Sequence, residues 1–124
     1  MNNIDYKIKL LKDLAYKYIE IIDKDLLKIK DTWCEKYYKE SYEEYKNKLN
    51  DLINNNKLIL KDHLNTDKYK DKIENFYKNK IKYINDYLIE DYEIGHTGEI
   101  MNWRLNVIAI YTNLLLKLFK NYEE

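Results

Sequence analysis

The first 94 residues of this chain contain neither glycine nor proline. Those two residues are the strongest local breakers of regular backbone. Proline inside a helix also removes a hydrogen bond and clashes with the preceding turn. A run this long without either predicts helix. Both glycines fall together, in Ile94-Gly95-His96-Thr97-Gly98-Glu99, and no proline follows them. The chain is therefore expected to be all-α, with one sharp break before its last helix.

Apolar spacing divides the long run into helices. Ile4, Ile8, Leu11, Ala15, Ile19, Ile22, Leu26 and Ile29 recur at steps of three and four, which is one face of a helix. Leu10, Leu14, Tyr18 and Ile21 widen that face, as a bundle requires. Thr32-Trp33-Cys34-Glu35 matches the capping box, where Thr accepts from the N3 amide and Glu reaches back. Asp31 and Thr32 are thus expected to start a second helix; the rival is one helix running straight through. Trp33, Tyr37, Tyr45, Leu49, Leu52 and Ile53 continue an apolar face. Asn54-Asn55-Asn56 marks the next boundary, because asparagine tolerates left-handed backbone. Lys57 to Leu64 fits either helix or extended chain.

A third helix is expected from a cap at Asn65-Thr66-Asp67, with Ile73, Phe76, Tyr77, Ile81, Ile84 and Leu88 on one face. It should end near Ile94, where Gly95 can adopt the left-handed C-cap. Thr97 then caps the last helix, with Glu99 in its first turn. From Ile100 to Phe119 that helix is apolar on more than one face. Such a helix is buried, or keeps a face for a partner. The expected architecture is an antiparallel bundle of three to five helices, one domain over residues 1–124. A homodimer through Leu105–Phe119 is one expected use of the apolar end.

Charge and composition narrow the function. The chain has 22 basic and 22 acidic residues and no net charge, which argues against non-specific nucleic-acid binding. Lys, Asn, Ile and Tyr are abundant, with 14 Tyr; all four can be written in AT-only codons, the mark of an AT-rich genome. The single cysteine, Cys34, allows no disulfide within one chain and fits a reducing compartment. The N-terminus lacks the basic head and apolar run of a signal peptide. The most apolar segment, Leu105–Phe119, includes Asn106, Asn113 and Lys117 and falls short of the roughly 20 apolar residues of a membrane span. A cytoplasmic protein is expected.

No catalytic or metal-binding constellation stands out. Gly95-His96-Thr97-Gly98 could present amides to an anion at a helix N-terminus, but it lacks the Lys-Ser/Thr of a phosphate loop. Glu93 and His96 have the Glu-x-x-His spacing of di-iron bundles, yet His63 has Leu60 at the matching position. Cys34, His63 and His96 are far apart, and Cys34 reads as a small core residue. No cofactor and no metal is expected.

Arg104 is the only arginine, in line with the apolar Ile100, Val107 and Tyr111. It is either paired with a carboxylate to hold the bundle in register, or offered beside Trp103 to a partner carboxylate or phosphate. Arg104 to Tyr111 resembles the C-terminal helix motif of HEPN-type RNases, small all-α domains of toxin–antitoxin and antiviral systems. Their signature continues from the Arg to a His four to six residues on. Positions 109 to 111 here are Ala, Ile and Tyr, so the resemblance does not imply nuclease activity.

Thr66 to Lys82 holds six Lys against three acids, whereas Tyr83 to Glu99 holds five acids and no Lys or Arg. Acids at a helix C-terminus oppose the macrodipole. Asp91, Tyr92, Glu93, His96 and Glu99 are thus the expected contact surface for a basic protein. The leading expectation is a non-enzymatic protein-binding module of inhibitor or immunity type, for example one that blocks a nuclease. The alternatives are an RNA- or nucleotide-binding, HEPN-like defence component using Arg104, Lys78, Lys80 and Lys82, or a structural homodimer.

Overall fold

The computed structural model describes residues 3–64, 71–72, 74–75, 78–79 and 97–122. Among these residues the chain is all-α, with no strand. Helix α1 spans Asn3–Ile29, α2 spans Trp33–Asn54 and α3 spans Thr97–Leu116. The short pieces described at 71–72, 74–75 and 78–79 are also helical. The apolar face expected from Ile73 to Leu88, and the break at Gly95, lie outside the described residues. No helix among the described residues is long and apolar enough to cross a membrane.

The α1–α2 connection is a tight turn, so the single long helix is excluded. Asp31 sits at φ 62°, the left-handed region that a short polar side chain enters more readily than most. Thr32 is the N-cap of α2. Its Oγ1 accepts from the Cys34 amide at 3.2 Å and donates to the Ile29 carbonyl at 2.6 Å. One hydroxyl thereby closes both helix ends. The capping box predicted the N3 amide as the donor; the bond comes from N2 instead, and the Glu35 amide goes to the Thr32 carbonyl.

Three cross-links give the direction of packing. Asp25 meets Tyr42, Asp23 meets Lys46, and Lys12 donates to the Asn55 carbonyl. As one number falls the other rises, so α1 and α2 are antiparallel. Helix α2 packs most extensively on α1 and next on α3, while α1 touches α3 more sparingly. The Lys12 ammonium also satisfies a carbonyl at the α2 C-terminus, where a cation is favoured.

The core-facing row of α1 is Leu11, Ala15, Tyr18, Ile22, Asp25 and Ile29, all buried. It runs between the two stripes expected from sequence, with Ile4, Ile8, Ile19 and Leu26 only partly buried at its margin. On α2 the buried row is Cys34, Tyr42, Leu49 and Leu52, flanked by Tyr38 and Tyr45. Trp33 and Tyr37, expected on this face, are instead exposed. The helical period explains it: counting back from Leu49 by turns reaches Tyr45 or Tyr42, then Tyr38 and Cys34. Trp33 and Tyr37 lie well round the cylinder from that line. From α3, Met101, Leu105, Val107, Ile108 and Leu115 are buried.

The helix α2 ends at Asn54, as the asparagine run predicts. The cap Asn55 is extended at φ −82°, not left-handed, and its Oδ1 accepts from the Lys57 amide at 2.8 Å. The ambiguous stretch is not α-helix: Lys57 ends a turn, Leu60 is a bridge residue, and Asp62–Leu64 form a 3-10 turn. Leu60 forms an isolated antiparallel bridge with Phe119. Lys61 donates to the Leu118 carbonyl and Lys120 to the Ile59 carbonyl. The last helix therefore stops at Leu116, and the apolar Leu118 and Phe119 belong to this bridge rather than to a helix face. The side chain of Asn121 locks the junction, accepting from Ile59 and donating to Lys57.

Candidate functional site

Arg104 projects from α3 into the core and is 3% exposed. Its Nη2 donates to Asp25 Oδ1 at 2.8 Å and its Nε to Asp25 Oδ2 at 3.0 Å. Tyr42 of α2 donates its hydroxyl to the same Oδ2 at 2.8 Å. One carboxylate on α1 thus receives a two-pronged guanidinium and a phenol, and all three helices meet there. Paired parallel bonds of this kind fix orientation as well as distance. Both charges are buried, so each is tolerable only because the other is there. The paired carboxylate expected for Arg104 is therefore Asp25. A chemically satisfied, solvent-excluded cluster holds the three helices in register; it offers no group to a substrate.

The expected contact residues fall differently. Asp91, Tyr92, Glu93 and His96 lie outside the described residues, as do Lys80 and Lys82. Glu99 occupies the first turn of α3, as expected. It precedes Trp103 by four residues, which places the two positions on one helix face. Trp103 is 43% exposed. Lys78 is exposed, and His63 is exposed in its 3-10 turn. Cys34 is fully buried. Among the described residues no group of His, Cys, Asp or Glu could hold a metal ion.

Two surface features were not expected. The first lies on α2. Trp33 and Tyr37 are 57% and 64% exposed and stack edge to face, with ring centroids 6.1 Å apart. Tyr38 continues the ring contacts, and the Lys36 ammonium stands 6.0 Å from the Tyr37 ring centroid. Steps of four, three and four lead from Trp33 through Tyr37 and Glu40 to Glu44, all exposed, so this face carries aromatic and acidic side chains, with the exposed Lys36 beside them and Glu44 paired to Lys48 at 3.6 Å. The second is a cleft of about 1100 Å³ between the ends of α2 and α3, lined in part by Lys48, Lys61, Lys117, Asp51 and Tyr122. The Tyr122 hydroxyl donates to Asp51 at 2.8 Å. Burial raises its pKa above the ordinary value of 10.0, a hydrogen bond with Asn55 opposes that, and Asp51 raises it further.

The core also contains a polar blemish. The hydroxyls of Tyr18 and Thr112 are buried with no hydrogen-bond partner among the described residues. Burial, and then the nearby Tyr111, push the Tyr18 hydroxyl far above its usual pKa. Such a phenol stays protonated at physiological pH.

The segment Leu105–Phe119, expected as a dimer face, is divided by the fold. Leu105, Val107, Ile108, Leu115 and Phe119 go into the chain's own core, while Ile110 and Leu114 remain exposed. The chain matches no protein-family model, no curated protein and no solved structure. The resemblance to HEPN-type RNases rests on Arg104, whose guanidinium is taken up by Asp25.

Proposed function

We propose that this protein is a non-enzymatic binding module of inhibitor or immunity type, working in the cytoplasm against a basic protein partner. The observation that carries the proposal is the exposed Trp33–Tyr37 pair on α2, followed on the same face by Glu40 and Glu44. Trp and Tyr are the residues most enriched among binding hot spots. Their mutual edge-to-face contact pre-orders both rings, which lowers the entropy lost on docking. Acids along the same face steer a basic partner and reject acidic ones. Asp91, Tyr92, Glu93, His96 and Glu99 are the second candidate contact set of this proposal, on the acidic character of their sequence.

The test is native mass spectrometry of the tagged protein recovered gently from its host, wild type beside Trp33→Ala and a Glu40→Lys/Glu44→Lys double variant. A stoichiometric basic protein that both variants lose is the expected result. Its retention by both would sink the α2 face; recovery of bound RNA alone would overturn the inhibitor proposal.

An RNA- or nucleotide-binding domain comes second, and the feature that favours it is the cleft with Lys48, Lys61 and Lys117. Two helix C-termini flank that cleft. Their partial negative charge already favours lysines there without a ligand, and Arg104 is unavailable to a phosphate. This version predicts retention on RNA that falls steeply with salt.

A further inference from the structure

We draw no further inference here: the strongest candidate, the exposed Trp103–Ile110–Leu114 stripe on the outer face of α3, is an apolar helix face, and nothing in the structure shows what covers it.

Discussion

Asp25 and Arg104, 79 positions apart, are joined by two hydrogen bonds of 2.8 and 3.0 Å inside the core. Arg104 occupies α3, Asp25 occupies α1, and Tyr42 of α2 completes the set at 2.8 Å. A buried pair of this kind need not raise stability above that of a well-packed apolar alternative, because both ions lose their hydration. Its consequence is register. An apolar core tolerates helices that slide or rotate by a position, whereas a bidentate fork accepts one alignment.

Removing one partner alone should be severe. Arg104→Ala strands the Asp25 carboxylate in the core and is expected to cost about 3–5 kcal/mol. Arg104→Lys should not rescue it, since an ammonium cannot reproduce the fork. The double variant Asp25→Leu/Arg104→Leu should cost much less than the sum of its single changes. Urea denaturation of the four chains gives the coupling; additive losses would mean that the pair does not act as a unit.

Tyr42→Phe keeps the ring and deletes the hydroxyl that donates to Asp25. A hydrogen bond to a charged group contributes about 1.5–3 kcal/mol, and that loss is expected. Trp33→Ala and Tyr37→Ala, by contrast, should each change stability by no more than about 0.5 kcal/mol, because both rings are largely in solvent. Equal losses at all three positions in a chemical-denaturation series would contradict the burial pattern of α2.

Tyr18→Phe is expected to stabilise the protein. The Tyr18 hydroxyl is buried with no hydrogen-bond partner among the described residues, and an unsatisfied buried hydroxyl costs about 1–3 kcal/mol. The substitution should also change the alkaline limb of the stability curve. Burial raises the Tyr18 pKa above 10.0 in the folded state. Below that ordinary value both states are neutral and the contribution is fully present. As pH rises past 10.0 the unfolded chain releases its proton while the folded chain holds it, so stability falls. Thermal melts from neutral pH into that range should show a shallower decline for Tyr18→Phe than for the wild type.

Thr32→Ala removes the hydroxyl that serves both helix ends of the α1–α2 turn. A lost N-cap costs about 1 kcal/mol. Asp31→Val places a β-branched residue at positive φ and should be at least as damaging. Asp31→Gly meets no such steric penalty. The order of melting temperatures, with the glycine variant above the valine variant, checks the turn geometry.

Much of the helical content was legible in the sequence. The lack of Gly and Pro before Gly95, the three-and-four spacing in α1, the Thr32 cap and the asparagine boundary at Asn54 are local signals. Local backbone chemistry sets them, and α1 and α2 begin and end where they indicate. The carboxylate partner of Arg104 was not legible, because no local rule links residues so far apart. A signal was present nonetheless: Asp25 interrupts the apolar row of α1 between Ile22 and Ile29, where a lone acid needs a buried cation.

What the sequence alone determined is therefore the all-α class, the extents of α1 and α2 with the Thr32 cap between them, and the presence of one arginine on an apolar face. Tertiary structure decided which side of each helix was used. It turned Trp33 and Tyr37 of α2 outward, took Tyr42 inward, and split the apolar C-terminal helix into a buried half and an exposed Trp103–Ile110–Leu114 stripe. Periodicity marks a face but leaves its rotation free by tens of degrees. Only the simultaneous packing of α1, α2 and α3 around Asp25 removes that freedom, since a charge in the core must meet its partner at hydrogen-bond distance.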